Sequence, residues 1–105
     1  VALIPLSPAQ RRDALEKAVA ARVARAEAKA LLRSGEATVG EVLERAQTDE
    51  ALARLKVTDM LESLHGVGPV RALAILEGLG IAPSRRLRGL GAHQRRALVD
   101  FLGAN

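Results

Sequence analysis

From Ala9 to Ser34 no glycine or proline interrupts the chain, and alanines dominate the stretch. Alanine has the highest intrinsic helix propensity. A run of this kind therefore commits the first third of a 105-residue chain to a single helix. Ser7-Pro8-Ala9-Gln10 supplies its start, with Ser at the N-cap, Pro at the first helical position and Gln reaching back as a capping box. Asp13 and Lys17 form an i,i+4 pair of favourable orientation, and Gly35 ends the element. Some 27 residues of helix span about 40 Å. Only Leu15, Val19 and Val23 mark an apolar stripe before Leu31 and Leu32. That stripe is too thin to bury the whole element. Residues 1–34 are thus expected to form a long N-terminal helix whose first half projects from the body, with a hinge at 34–37.

The remainder, residues 35–105, reads as a helical core. Period-2 alternation is missing and Phe101 is the one aromatic residue, so strands are not expected. Thr38-Val39-Gly40-Glu41 repeats the capping-box pattern and opens a short helix with Val42, Leu43 and Ala46 inward. Thr48-Asp49 caps another through Leu52 and Leu55, and Thr58-Asp59 starts a third with Met60, Leu61 and Leu64. After a glycine turn, Pro69 opens a helix with Ala72, Ile75, Leu76 and Leu79 on one stripe. Gly80 stops it, with Ile81 packing back on Leu76. A last helix runs from about Ala92 to Leu102 and is expected to bury Ala97, Leu98, Phe101 and Leu102. The fold class is all-α.

Charge is distributed unevenly. Residues 1–34 carry seven Lys/Arg against three Asp/Glu, residues 35–66 three against seven, and residues 67–105 six against two. Basic ends around an acidic middle point to cationic surfaces. The chain has no cysteine, which excludes a disulfide framework and thiolate chemistry and fits a cytoplasmic setting. Val1-Ala2-Leu3-Ile4 is too short and lacks the basic flank of a signal peptide, and no run is long enough to span a bilayer.

Two stretches are suited to phosphate. In Leu64-His65-Gly66-Val67-Gly68-Pro69, apolar Leu64 and Val67 pin the turn. Gly66 and Gly68 are expected to take dihedrals that a Cβ resists, leaving amides accessible. The helix that follows points its positive end at the same place. The expected donors are the N–H groups of Gly68, Val70 and Arg71, with the Arg71 side chain behind them. The second stretch, Ser84-Arg85-Arg86-Leu87-Arg88-Gly89-Leu90-Gly91, has no acid between Glu77 and Asp100 to neutralise it. Leu87 and Leu90 are expected to anchor this loop so that Arg85, Arg86 and Arg88 face outward, with Gly89 and Gly91 letting the backbone approach a duplex. Guanidinium forks suit phosphate and a narrow minor groove. Gln94, Arg95 and Arg96 extend the patch. Turn and loop are expected to lie close enough for one polyanion to touch both.

The pattern Met60-Leu61, Leu64-x-Gly-Val-Gly, Ala72-x-x-Ile75, Gly80-Ile81, Arg85-Arg86-Leu87-Arg88-Gly89-Leu90-Gly91, Gln94-Arg95 and Leu98 resembles the actinobacterial (mycobacterial-type) integration host factor family. The resemblance extends to Ala2-Leu3, Gln10-Arg11, residues 14–18, Arg22, Arg25 and Lys56-Val57, nearly the full chain. It implies a small all-helical nucleoid-associated protein with a helix–two-turn–helix core that binds double-stranded DNA with low sequence specificity, bending or compacting it. It also implies that Arg85, Arg86 and Arg88 contact DNA, and the family name adds a site-specific integrase as a further partner. One departure is Pro69, where the family often has Lys. The turn is expected to survive, with affinity somewhat lower or more dependent on Arg71.

On the long helix, Arg11, Arg12, Lys17, Arg22 and Arg25 form a candidate second DNA contact, against the reading of a solvated charged face. His65 and His93 lie far apart with no acid at ligand spacing, so no metal is expected. Asp59 with Glu62 and Glu41 with Glu44 read as caps and solvated faces, not acid/base dyads. Ser34 and Ser84 have no base to activate them. A helix-hairpin-helix glycosylase would need an aspartate where residues 85–90 stand. No catalytic residue, cofactor or membrane partner is expected, and the chain is expected to be a monomer in the nucleoid. The alternative is RNA binding of the ribosomal helix–two-turn–helix type, whose usual lysine-rich tail is not found up to Asn105.

Overall fold

A computed structural model describes residues 5–102. The readings made on residues 1–4 and on Asn105 lie outside them. The described chain is all-helical, with α1 over Pro8–Ser34, α2 over Val39–Arg45, α3 over Glu50–Ala53, α4 over Val57–Glu62, α5 over Pro69–Gly78, a 3-10 turn over Leu87–Gly89, and α6 over Ala92–Leu102.

The α1 start follows from its capping box. Ser7 Oγ accepts from the Gln10 N–H at 3.1 Å, and Gln10 Oε1 accepts from the Ser7 N–H at 2.8 Å. Gly35 ends the helix in the left-handed region, φ 81°. Every described residue up to Ala20 is exposed, whereas Ala28 and Leu32 are buried. Leu15 is 66% exposed, and Val19 and Val23 are about half exposed. Ala28 lies nine residues beyond Val19, roughly two and a half turns, which places it on the opposite face. The Leu15–Val19–Val23 stripe therefore faces away from the body. Thr38 and Glu41 form the second capping box. Asp49, not Thr48, caps α3, with Oδ1 accepting from the Ala51 and Leu52 N–H groups.

The core is one cluster in which Val39, Val42, Val57, Met60, Leu61, Leu76 and Leu98 are fully enclosed. Ile81 closes α5 as expected, its N–H donating to the Leu76 carbonyl at 2.9 Å while that of Gly80 donates to Glu77 at 3.2 Å. This is the Schellman pattern.

Two expectations need correction. First, α4 begins at Val57 with Lys56 at the N-cap and no side-chain cap, not at Thr58-Asp59. A long-range pairing sets this start: the Val57 N–H donates to the Arg85 carbonyl and the Leu87 N–H to the Leu55 carbonyl, both at 2.9 Å, around an isolated antiparallel bridge between Lys56 and Arg86. Second, Phe101 is 59% exposed rather than buried. α6 turns Leu98, Val99 and Leu102 inward. Val99 packs beside Gly40 of α2, where a Cβ would lie in ordinary contact at 3.6 Å from its methyl. That rotation carries Phe101 to the outside.

Candidate nucleic-acid interface

The glycine turn joins α4 to α5. Leu64 is buried and Val67 half-buried against the core, and the Val67 N–H donates to the Leu64 carbonyl at 3.2 Å. Gly66 has φ 80° and needs glycine. Gly68 does not: its φ of −93° and ψ of −177° are ordinary extended backbone, and a Cβ there would meet nothing within 4 Å. What Gly68 contributes is a bare surface. The first bond of α5 runs from the Ala72 N–H to the Gly68 carbonyl at 2.9 Å. Pro69 has no N–H, and those of Gly68, Val70 and Arg71 have no backbone partner among the described residues. Helix geometry leaves such donors orphaned and aimed outward. The Arg71 side chain is exposed and forms no ion pair among the described residues.

The arginine corner is held from both sides. Leu87 and Leu90 are buried, as expected. The arginines do not all extend freely. Arg85 is half-buried and donates from Nη1 to the Gly89 carbonyl at 2.9 Å, Arg86 from Nη1 to the Arg54 carbonyl at 2.6 Å, and Arg95 from Nη1 to the Leu90 carbonyl at 3.0 Å. Each guanidinium carries five N–H donors in a planar fork, so one bond fixes its direction and leaves the rest for a ligand. Arg88 is exposed and makes no side-chain hydrogen bond among the described residues. Gly89 leaves room for the folded-back Arg85, since a Cβ would lie 2.9 Å from Arg85 Cδ and push that side chain aside. Gly91 has open space around it. Gln94 caps α6, its Oε1 accepting from the Gly91 N–H at 3.2 Å. That amide is therefore engaged.

Turn and corner sit at opposite ends of α4: the corner is tied to Val57 at its first residue, and the turn follows Glu62 at its last. α4 itself, at six residues, is about 9 Å long.

The corner also forms one side of an open cleft of about 1060 Å³. Lys17, Arg22, Arg25 and Lys29 of α1 line it together with Arg54, Lys56, Arg86 and Arg88. Arg25 is half-buried and donates to the Ala51 carbonyl at 3.3 Å. The acids there are Asp49, Glu50 and Asp59. Asp49 is engaged as a cap, and Glu50 pairs with Arg54 at 2.7 Å. That is the single ion pair among the described residues, so most of the cationic charge is unneutralised. Arg11 and Arg12 are exposed and do not line the cleft.

Known proteins resemble this chain in sequence and in fold. Residues 32–101 match the family described as S13-like H2TH domain. The integration host factor of Streptomyces coelicolor is 51% identical over 104 residues, covering 99% of this chain and 97% of the relative. That of Mycobacterium tuberculosis is 50% identical over 104 residues, covering 99% of both. This chain belongs to the actinobacterial integration host factor family. A solved structure of the same family, described as sIHF bound to an 8bp palindromic DNA, superposes with a TM-score of 0.82 at 48% identity, covering 84% of this chain and 99% of that one. As an integration host factor, the chain carries its H2TH region from the last turn of α1 through α6, with most of α1 preceding it. No helix among the described residues is long and apolar enough to cross a membrane.

Lys29, Arg54 and Lys56 line the cleft without belonging to either phosphate-suited stretch of the sequence or to the candidate second contact on α1. Lys56-Val57 was visible only as a family match. Its position beside the corner depends on a backbone pairing 30 residues apart in sequence, which no local pattern encodes.

Proposed function

We propose that this integration host factor binds double-stranded DNA with low sequence specificity, bending or compacting it as a non-enzymatic, nucleoid-associated protein of the cytoplasm. The observation that carries this reading is the pair of anion-directed surfaces fixed at the two ends of α4. Amides of Gly68, Val70 and Arg71 lie at one end, with the bare Gly66–Gly68 turn beside them. At the other end are Arg85, Arg86, Arg88 and Arg95, with Gly89 and Gly91 keeping the backbone low and Gln94 holding the α6 start. Phosphates seat on the amides, and the guanidinium forks reach phosphate or the minor groove. The exposed first half of α1 acts as a projecting arm, while its second half packs on the helical body. In this reading Lys17, Arg22 and Arg25 touch a second stretch of backbone through the cleft, while Arg11 and Arg12 serve a duplex lying further out along the arm. A monomer suffices, and a site-specific integrase is the partner suggested by the family name.

The test is a salt titration of binding to one short duplex, comparing the wild type with a variant in which Arg85, Arg86 and Arg88 are all alanine. About five engaged phosphates give a log–log slope near −4 to −5. The variant is expected to bind more weakly, with a shallower slope and an unchanged helical spectrum. A wild-type slope near −1 would contradict the footprint. Duplex RNA is the second reading, favoured by the S13-like character of residues 32–101. Direct competition between DNA and RNA duplexes separates the two.

A further inference from the structure

The outward face of α1 is exposed along the whole helix. Arg12, Leu15, Val19, Val23, Ala26 and Ala30 follow one another on it at steps of three and four residues, and none is covered. Charge is arranged around this stripe with a period. Arg11, Arg22 and Arg33 recur every eleven residues, and so do Glu16 and Glu27. Eleven residues make about three helical turns, so each set falls on one line along the helix. Measured around the axis from Val19, the glutamates lie about 60–80° to one side and the arginines about 40–80° to the other. All five charged side chains are exposed, and none has an ion-pair partner among the described residues. The folding of one copy uses neither row.

We propose that two copies of this chain pair through α1, parallel and in register, along the seam of Leu15, Val19 and Val23. In a parallel pair the two-fold axis runs along the seam and sets the arginine row of each copy against the glutamate row of the other. Arg11 then meets Glu16 of the second copy, and Arg22 meets its Glu27. Each pair is five residues apart, about 7.5 Å along the axis, a span that two long side chains bridge. Charges flanking a coiled-coil seam set partner and orientation in the same way. An antiparallel pair would set arginines against arginines and glutamates against glutamates. A membrane surface would set the glutamate row against anionic head groups. Arg12 brings like charge to the first turn of the seam, where its long stem carries the guanidinium out to water. Arg22 borders both the seam and the cleft, and its fork has donors for both. With three large apolar side chains per copy, the interface lies at the weak end of specific contacts. It forms where copies are crowded, as tethering on one polymer crowds them to about millimolar effective concentration. Ala28 and Leu32 are buried on the opposite face of α1, so the two bodies stand on the outside of the pair. On the proposed DNA-binding reading, each body holds its own duplex and the pair bridges them. The pairing itself does not rest on that reading.

The chain has no cysteine, so a single introduced thiol reports which residues meet. Leu15→Cys and Val23→Cys place it on the seam, and Ala14→Cys places it on an exposed position of another face. Circular dichroism confirms that each protein is folded. Disulfide formation under mild oxidation is followed in free protein at about 1 mM, the crowding that tethering reaches. Leu15→Cys and Val23→Cys are each expected to cross-link to themselves about tenfold faster than Ala14→Cys, through the seam's local concentration. In a mixture of the two seam variants, one carrying a tag, like-with-like dimers are expected to outnumber mixed ones. Adding Glu16→Arg with Glu27→Arg to Leu15→Cys reverses the facing charges and is expected to slow cross-linking about fivefold. Seam cross-linking no faster than that of Ala14→Cys would overturn the proposal. A predominance of mixed dimers, the mark of an antiparallel pair, would overturn it too, as would indifference to charge reversal. DNA binding is measured separately by anisotropy on a short duplex, and its failure would remove the functional reading and the bridging while leaving the pairing to stand on the cross-links.

Discussion

Arg86 and Arg54 meet across 32 positions of sequence, the Nη1 of one donating to the backbone oxygen of the other at 2.6 Å. Together with the Lys56–Arg86 bridge, this contact ties the cationic corner to the α3–α4 junction. Arg86 therefore has a structural task that Arg88, with no such bond, lacks. Arg88→Ala is expected to leave the urea midpoint unchanged and to weaken DNA binding by about fivefold, with a salt slope shallower by about one. Arg86→Ala is expected to weaken binding and also to cost about 1 kcal/mol of stability. Urea titrations beside anisotropy on both variants check the difference. Equal stability loss in the two would show that the corner is not held as described.

The two turn glycines separate in the same way. Gly66, at φ 80°, is expected to lose about 1–2 kcal/mol of stability on conversion to alanine, the cost of a Cβ in the left-handed region. Gly68→Ala is expected to fold within about 0.5 kcal/mol of wild type, because its backbone is ordinary and the space beside it is open. Its DNA affinity should nevertheless fall by about tenfold, since the new methyl stands where a phosphate must approach the amides. Thermal melts and binding isotherms together decide. A Gly68→Ala protein that binds as well as wild type would take the phosphate away from this turn.

What the sequence made legible was local. Capping boxes at Ser7 and Thr38, the Pro69 start, the Gly80–Ile81 stop and the inward stripe of α5 depend on residues within one or two turns of each other. Each is found where the pattern places it. What escaped depended on distant partners. The α4 start was displaced by pairing with Arg85, the capping role of Gln94 masked its availability, and the rotation of α6 follows from its packing against the core and α2. The corner arginines were recognised as cations, but that Arg85 and Arg86 fold back on carbonyl oxygens is visible only once Gly89 and Arg54 are beside them.

The rotation of α6 gives a direct stability contrast. Leu98 is fully enclosed and Phe101 largely exposed, although both are large apolar residues one turn apart. Leu98→Ala is expected to cost about 2–5 kcal/mol through lost burial and the cavity left behind. Phe101→Ala is expected to stay within about 0.5 kcal/mol. Urea denaturation of the two variants measures this, and a Phe101→Ala loss as large as that of Leu98→Ala would place the ring in the core after all.

The cleft sets apart the charges of α1 that face the corner from those that do not. Lys17 and Arg22 are exposed and line it opposite Arg86 and Arg88, whereas Arg11 and Arg12 lie outside it. Arg25 is set aside because it also holds the Ala51 carbonyl, so its removal would mix packing with binding. With two phosphates lost from the footprint, Lys17→Ala combined with Arg22→Ala is expected to make the salt slope shallower by about two. Affinity at low salt should fall by about tenfold, with no change in melting temperature. Arg11→Ala combined with Arg12→Ala removes the same formal charge from the same helix and is expected to shift affinity less on a short duplex, which ends before reaching the arm's tip. If the two pairs behave alike, α1 acts only through its summed charge and the cleft makes no specific contact with the backbone.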